Sequence, residues 1–231
     1  MVSNHKVEDS VLVIAPHPDD EIIGCGGSLI KHLIAGRNID ILYMTSGDKG
    51  VNAGKVKDMA KVRENEAIQA WEFLGLNSKR LHFLRLPDAE LTFTPDISNK
   101  INKVIRQLRP ATIYLPHRLD NHPDHEATYS LCIDAIEKAG YSYAIADLEP
   151  WYCPTVLAYE VWNPISKPGY VEDISGQFDR KQKSLTYHKS QLSVIPYSHL
   201  IQNLNGYRGI LSGVKYAEAF KVIRLKASSI T

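Results

Sequence analysis

Residues 11–35 read VLVIAPHPDDEIIGCGGSLIKHLIA, and this stretch decides the fold. Its first five residues form a short, continuous apolar run, which is typical of a β-strand buried on both faces. From residue 24 to residue 35 the apolar side chains recur at helical spacing, and Gly36 marks the end of the helix. A buried strand that leads into a helix predicts an α/β fold.

The same alternation of strands and helices continues as far as residue 140. Thr94 provides an N-cap and Pro95 a first helical residue for one of these helices. Alternation at these lengths predicts right-handed βαβ units and a mostly parallel sheet flanked by helices. The further predicted strands are residues 39–44, 81–84 and 111–115. The further predicted helices are residues 55–74, a helix that begins at residue 95 and is ended by Pro110, and residues 126–139.

The pattern loosens in the C-terminal third, where five prolines punctuate the chain between residues 150 and 196. A strand is expected at residues 156–162, a helix at residues 178–192 and a last strand at residues 220–225. The chain shows no internal repeat, low-complexity tract or linker. A single domain over residues 1–231, with a less regular C-terminal third, is therefore predicted.

Composition excludes several classes of protein. The 231 residues are 44% hydrophobic and 23% charged, which is ordinary for a globular protein and excludes a disordered chain. The 27 basic and 26 acidic residues leave a net charge of +1, which argues against wholesale binding to nucleic acid or an anionic membrane. No apolar stretch approaches the length of a transmembrane helix, so membrane insertion is not expected. Three widely spaced cysteines form no C-x-x-C pair, and the first apolar run is too short for a signal peptide, so a cytoplasmic location is expected.

Two clusters of histidine and aspartate follow two of the predicted strands. The first strand runs into PHPDDE at residues 16–21, and the fourth runs into PHRLDNHPDH at residues 116–125. Parallel sheets place their ligand-binding crevice at the carboxyl ends of the strands, so the two clusters are expected to converge on one point.

These residue types and spacings are those of a catalytic metal site. A catalytic zinc ion takes three protein ligands, often two histidines and a carboxylate, and keeps a position for water. His17 and Asp20 are three residues apart, so one turn can direct both inward, and either His122 or His125 completes the set. The ion lowers the pKa of its water from 15.7 to about 7, and Asp19 is available to accept the proton. The simpler interpretation is that the aspartates only cap helices.

The segments HPDDE (residues 17–21) and HPDH (residues 122–125) resemble the paired signatures of the zinc-dependent PIG-L/LmbE family of N-deacetylases. That family includes enzymes of mycothiol, bacillithiol and GPI-anchor biosynthesis. The resemblance implies a Rossmann-like α/β domain that binds Zn²⁺, with Fe²⁺ or another divalent ion as alternatives, through His17, Asp20 and His125. Hexamers occur among relatives, so a homo-oligomer is also implied. Further similar segments lie at residues 24–29, 63–67, 86–88, 109–110, 188–191 and 216–220.

The resemblance also implies roles for the residues around the metal ligands. Asp19 would be the general base. His122 would stabilise charge or donate a proton, and either Asp124 or Asp120 would orient it.

Arg63 and Asp88 are candidate substrate-binding residues. Arg63 lies in the apolar stripe of its predicted helix, where a buried arginine needs an acidic partner or an anionic ligand. It either pairs with Glu66 or a surface carboxylate, or contacts the oxyanion or the sugar. Asp88 either orients a sugar hydroxyl or caps a turn. Related enzymes commonly have glycine next, where a positive φ is permitted, but this chain has Ala89.

Several other residues have a structural interpretation. His188 is expected to be a hydrogen-bonded core histidine, and Lys181 to lie on a solvated face. Tyr197 and Tyr207 either line a pocket or simply pack. The glycines of residues 24–27 lack the spacing of a dinucleotide-binding loop, so they are expected to allow close packing of the helix on the sheet.

Together these features predict a zinc-dependent hydrolase that removes the N-acetyl group from a small-molecule, N-acetylglucosamine-type sugar conjugate. One alternative is a non-heme Fe(II) oxygenase, although such enzymes commonly carry H-x-D on a double-stranded β-helix. Another alternative is a non-catalytic sugar-binding module. The apolar side chains of Trp151, Tyr152 and Trp162 hint at an interface between subunits.

Overall fold

A computed structural model describes residues 10–50, 54, 56–142 and 147–226. Seven strands form one sheet in the order β3-β2-β1-β4-β5-β7-β6. Strands β1 to β5 pair with one another in parallel, and β7 is antiparallel to both β5 and β6. The predicted α/β fold with a mostly parallel sheet is therefore confirmed. The strands are β1 (Ser10–Ala15), β2 (Asn38–Thr45), β3 (Leu81–Leu86), β4 (Thr112–Pro116), β5 (Thr155–Tyr159), β6 (Tyr170–Asp173) and β7 (Ala217–Arg224).

Helices cover both faces of this sheet, because alternate residues of a strand point to opposite sides. Val11 and Val13 pack in a cluster with apolar residues of α1, α2, α5 and α7. Leu12 and Ile14 pack in a second cluster with α3 and α4. None of the helices within the described ranges is both long enough and apolar enough to cross a membrane. The helices are α1 (Asp20–Ile34), α2 (Met59–Leu74), α3 (Pro95–Leu108), α4 (Pro123–Ala139), α5 (Phe178–Leu185), α6 (Lys189–Leu192) and α7 (Tyr197–Ser212), with a short 3-10 helix at Ser78–Arg80.

The two helices that follow the histidine clusters begin earlier than predicted. Helix α1 begins at Asp20 rather than residue 24, and α4 begins at Pro123 rather than residue 126. Polar residues of the clusters form the first helical turns, which an apolar pattern does not reveal. Helix α2 begins later, at Met59, and the predicted start at residue 55 lies outside the described residues.

The C-terminal third contains elements that the sequence pattern did not predict. Helix α7 and the four-residue strand β6 were missed, and the expected helix over residues 178–192 is two helices, α5 and α6, separated by a turn. Strand β6 is too short to show a period and lies at the sheet edge. Lys181 is not on a solvated face, because it is fully buried and its Nζ lies 2.7 Å from Glu218 Oε1.

Two glycines of α1 confirm the predicted close packing of this helix. A Cβ atom at Gly24 would lie 2.3 Å from a ring carbon of Tyr159 on β5. At Gly27 it would lie 2.6 Å from the side chain of Ile174. Any larger side chain would push α1 away from the sheet and displace the turn at its beginning.

The strand order places a topological switch point between β1 and β4. The chain continues from β1 to β2 and β3 on one side, and then returns to add β4 on the other side. The segments that leave the carboxyl ends of β1 and β4 therefore diverge toward opposite faces, and they leave a crevice between them. Both histidine clusters lie at this crevice.

Candidate active site

His17, Asp20 and His125 come together in the crevice, and all three are buried. Asp20 Oδ2 lies 3.0 Å from His17 Nδ1 and 3.1 Å from His125 Nε2. One potential ligand atom from each residue lies within 4.8 Å of the others. His17 forms a second such group with His122 and Asp124. The two clusters thus converge as the sequence predicts.

Asp120 fixes the orientation of His125. Its Oδ2 lies 2.6 Å from His125 Nδ1, and its Oδ1 accepts the backbone N–H groups of residues 161–163 at 2.9–3.0 Å. A proton held on Nδ1 directs the lone pair of Nε2 toward Asp20. Within the described part of the chain, this buried Nε2 has no hydrogen-bond partner.

Two further carboxylates contact the other ring nitrogen of His17. Its Nε2 lies 3.1 Å from Asp88 Oδ1 and 3.1 Å from Asp124 Oδ2. Asp124 also accepts the backbone N–H groups of Ala89 and Leu91, at 2.8 and 3.1 Å. The loop after β3 is thereby tied to the histidine cluster.

The cluster favours a positive charge at its centre. Burial alone would lower the pKa of His125, yet the Asp20 and Asp120 carboxylates raise it to about 9. Burial would raise the pKa of Asp20, but the rings of His125 and His17 hold it well below its usual value. Two imidazoles are surrounded by the carboxylates of Asp20, Asp88, Asp120 and Asp124.

These observations fit a divalent metal ion. If Nδ1 of His125 carries the proton, Nε2 and the carboxylate oxygen of Asp20 are two acceptor atoms that face each other at 3.1 Å. A bound cation would satisfy both atoms. Two imidazoles and one carboxylate are also a usual donor set of catalytic zinc.

Asp19 lies beside this donor set in a strained conformation. It is buried, and its φ of 125° is rarely adopted by a residue with a side chain. Its backbone N–H donates to Glu21 Oε2 at 3.2 Å, and its Oδ2 accepts from Arg63 Nη2 at 3.1 Å. Burial raises the pKa of Asp19 to about 7, against the lowering effect of Arg63. Strain of this kind is commonly found at functional sites.

Glu21 stabilises this turn, a role that no motif in the sequence indicates. Its Oε1 accepts from Tyr43 Oη at 2.7 Å and from Trp71 Nε1 at 2.8 Å. Two buried aromatic donors thus hold the carboxylate that receives the N–H group of Asp19.

Arg63 is buried, as its place in the apolar stripe predicts, but its partner is not Glu66. Besides the Asp19 carboxylate, its guanidinium donates to the carbonyl oxygens of Pro18 at 2.7 Å and Gly47 at 3.1 Å. A Cβ at Gly47 would lie 2.2 Å from that guanidinium, so glycine makes room for it. Glu66 instead accepts from the backbone and hydroxyl of residue 190.

His122 lies next to the other two histidines. Its ring centroid is 5.0 Å from that of His17 and 5.0 Å from that of His125. Its Nδ1 accepts the backbone N–H of Asp124 at 3.2 Å. The expectation that the carboxylate of Asp124 or Asp120 orients His122 is not met, because these groups contact His17 and His125 instead. Burial, followed by the two neighbouring rings, lowers the pKa of His122.

A cavity of about 240 Å³ opens in front of the cluster. Asp124 and His125 lie behind its wall. Tyr197 lines it, whereas Tyr207 is 54% exposed elsewhere on α7. Lys49 and Trp162, from loops, and Gln191, from α6, also line the cavity, and none of the three was singled out as a candidate site residue. The predicted site residues that line the cavity are His17, Asp19, Asp20, Arg63, Asp88 and His122.

His188 is fully buried, as expected of a core histidine. The prediction that it is hydrogen-bonded is wrong, because neither ring nitrogen has a hydrogen-bond partner among the described residues. Burial lowers its pKa to about 3, so the ring is uncharged at neutral pH.

The fold and the site define a class: a Rossmann-like α/β protein with a two-histidine, one-carboxylate centre at the switch point of its sheet. The chain belongs to the PIG-L family, whose model, described as GlcNAc-PI de-N-acetylase, matches residues 12–136. The resemblance seen in the two histidine motifs is thereby confirmed.

Named relatives cover most of the chain. The diacetylchitobiose deacetylase of Thermococcus kodakarensis is 33% identical over an alignment of 229 positions, which covers 92% of this chain and 82% of the relative. A Bacillus cereus protein named "Probable N-acetyl-alpha-D-glucosaminyl L-malate deacetylase 2" is 28% identical and covers 80% of this chain and 84% of its own length.

Solved structures agree with the fold. The N,N′-diacetylchitobiose deacetylase from Pyrococcus horikoshii has a TM-score of 0.84 at 25% identity, covering 93% of this chain and 84% of its own. The 4-carboxy-2-hydroxymuconate hydratase GalB of Pseudomonas putida has a TM-score of 0.83 at 20% identity, covering 96% of this chain and 99% of its own. At that identity the likeness to GalB shows the fold alone, so the activity has to be argued from the site.

Proposed function

We propose that this protein is a metal-dependent hydrolase that removes the N-acetyl group from an N-acetylglucosamine-type sugar conjugate. The observation that carries the proposal is the placement of Asp19, whose carboxylate lines the cavity beside the three candidate metal ligands without being one of them. The names of the relatives support deacetylation as the reaction.

His17, Asp20 and His125 would hold the ion, for which Zn²⁺ is the first candidate and Fe²⁺ or another divalent ion the alternatives. When bound, such an ion lowers the pKa of water and polarises a carbonyl oxygen. Asp120 positions His125, and Asp88 and Asp124 position His17.

Asp19 is the general base in this proposal. It accepts the proton of the attacking water while the guanidinium of Arg63 holds its Oδ2. Breakdown of the tetrahedral intermediate requires a proton for the departing amine. The protonated Asp19 or His122, both of which line the cavity, donates it. The products are acetate and a free amino sugar.

Arg63 and Asp88 also face the cavity, so each can contact the substrate. Arg63 stabilises developing negative charge with any N–H group that Asp19 and the carbonyl oxygens of Pro18 and Gly47 leave free. Asp88 accepts a hydrogen bond from a sugar hydroxyl. Its carboxylate also accepts the backbone N–H of Lys49 at 2.6 Å. Asp124 acts only through His17, so it is a positioning residue.

The two alternatives have less support. The oxygenase interpretation calls for a double-stranded β-helix, whereas the described sheet is a mostly parallel α/β sheet. The binding-module interpretation does not explain why Asp19 lies beside the candidate metal ligands in a strained backbone conformation.

The experiment is acetate release from N,N′-diacetylchitobiose by the metal-loaded protein, with and without oxygen. Asp19→Asn should reduce kcat by roughly a hundredfold or more while the bound metal is retained, because general base catalysis contributes at least that much. Asp179→Asn, an exposed carboxylate change on α5, is the matched control. An unchanged rate in Asp19→Asn refutes the mechanism, and a rate that depends on oxygen favours the oxygenase.

A further inference from the structure

Trp162 stands at the mouth of the catalytic cavity. It lines the cavity and is 37% exposed, whereas Tyr197 and His17 in the same wall are 4% and 8% exposed. The cavity of about 240 Å³ is smaller than the ~300 Å³ at which pockets for drug-sized ligands begin. It has room for about one sugar residue, so the group joined to that sugar has to extend out of the cavity through its mouth.

The position of Trp162 is fixed relative to the candidate metal ligands. Its backbone N–H donates to Asp120 Oδ1 at 2.9 Å, and the other oxygen of the same carboxylate holds His125. Its ring centroid lies 5.9 Å from that of Tyr197, at an angle of 54°. An aromatic surface held in this way loses little entropy when a ligand packs on it.

The charges around the cavity disfavour an anionic group at the mouth. Each of its two basic lining residues pairs with a carboxylate: Lys49 with Glu90 in an exposed pair, and Arg63 with Asp19 in a buried one. Three carboxylates line the same walls. Within the described part of the chain, the cavity therefore presents no unpaired basic side chain to a carboxylate or phosphate on the aglycone.

We propose that Trp162 is a specificity-determining residue that selects an uncharged glycoside, with a second sugar ring packed on the indole face. This inference rests on the proposed deacetylase function. The apolar C–H faces of a pyranose match the large, flat surface of tryptophan, while its hydroxyls remain in water at the exposed mouth.

The test compares kcat/KM for three substrates: N,N′-diacetylchitobiose, N-acetylglucosamine and N-acetylglucosaminyl L-malate. The disaccharide should exceed the malate conjugate by about tenfold or more. Trp162→Ala should lower kcat/KM for the disaccharide by about tenfold, mainly through KM, with a smaller loss for the monosaccharide. Trp162→Phe should retain most of the preference, and Tyr207→Ala, which removes an exposed aromatic residue outside this cavity, should leave all three values unchanged.

Binding of the same three compounds is measured by calorimetry with metal-loaded Asp19→Asn and with Asp19→Asn/Trp162→Ala, in which turnover is suppressed. Preference for the malate conjugate, or an equal loss for all three compounds in Trp162→Ala, overturns the role of Trp162. Failure to release acetate from any substrate refutes the proposed function, and the ratio of the binding constants still decides whether Trp162 selects a neutral second ring.

Discussion

The two carboxylate oxygens of Asp120 contact different parts of the molecule: the ring of His125 and the loop at residues 161–163. One oxygen lies 2.6 Å from Nδ1 of His125, and the other accepts hydrogen bonds from the backbone N–H groups of residues 161–163. A single side chain thus sets the tautomer of a candidate metal ligand and fixes the loop that carries Trp162.

Asp120→Asn should weaken metal binding by about 10- to 100-fold, which is the usual cost of losing an outer-shell partner. The asparagine oxygen can still accept the loop amides, so its NH2 group would face His125. It would donate to Nδ1 and move the ring proton to Nε2, where the ion needs a lone pair. The measurement is the dissociation constant for Zn²⁺ in competition with a chelator. Asp134→Asn on α4, the helix that carries His125, is the control, and an equal affinity in Asp120→Asn contradicts the proposed positioning.

Ala89 occupies a backbone conformation that suits glycine better. Its φ is 60°, and its N–H donates to Asp124 Oδ2 at 2.8 Å. The chain therefore keeps the turn that glycine commonly supplies at this point in related enzymes, although it has alanine. The turn is retained because its N–H group is needed by the carboxylate that contacts His17.

Ala89→Gly should stabilise the protein by about 0.5–1 kcal/mol. Relief of the left-handed conformation is worth roughly 1–2 kcal/mol, and the greater freedom of glycine in the unfolded chain costs about 0.5–1 kcal/mol. Urea unfolding measures the difference. Ala35→Gly, at a φ of −74°, should lose stability instead, and a loss in both variants would show that residue 89 is not strained.

At the scale of the elements, helix α1 is broken at Cys25, whose φ of −142° is not helical. A buried ion pair occupies the break. Lys181 Nζ donates to the carbonyl oxygen of Ile23 at 2.8 Å, and Glu218 accepts the N–H groups of Gly27 at 2.7 Å and Ser28 at 2.8 Å. The pair therefore satisfies the backbone groups that the break leaves free, and it holds the turn that carries Asp20.

Lys181→Met should destabilise the protein by about 3–5 kcal/mol, because Glu218 is left as an unpaired buried charge. Glu218→Gln should also be costly. The double variant should lose less than the sum of the two single losses, since it leaves neither charge unpaired. Urea unfolding of the four proteins gives the coupling energy, and strictly additive losses would show that the two side chains stabilise the fold independently.

Helix α7 shows why part of the fold escaped prediction. Its buried face includes Asn205 and Arg208, polar residues that disguise the helical period. Both are satisfied by distant partners: Asn205 Oδ1 accepts from Lys181, and Arg208 pairs with Glu160. Ile210, by contrast, is 79% exposed. Regular βα units were predictable because their buried faces are apolar, whereas this helix is held by buried polar pairs that only the tertiary fold reveals.

At the scale of the whole molecule, the candidate metal ligands come from segments more than 100 residues apart. His17 and Asp20 follow β1, and His125 follows β4, on the two sides of the switch point. Their meeting was predictable, because parallel strands end at one edge of the sheet. The far wall was less predictable: Trp162 reaches the cavity from an irregular segment whose course no local pattern specifies, and Gln191 lies on α6, whose place in the fold depends on tertiary packing.

A bound ion would join these two segments, so metal removal should affect stability as well as activity. We propose that residues 1–231 form one domain, which should unfold in a single transition. Metal at 100 times its dissociation constant should stabilise the native state by about 2.7 kcal/mol, or roughly 5–10 °C in Tm for a chain of this size. A chelator should lower Tm by that amount and abolish acetate release, and Zn²⁺ should restore both. In His125→Ala, which lacks one ligand, Zn²⁺ should raise Tm far less. A Tm that does not change when the chelator is added would show that no ion joins β1 to β4. Two separate unfolding transitions would show that the chain is more than one domain.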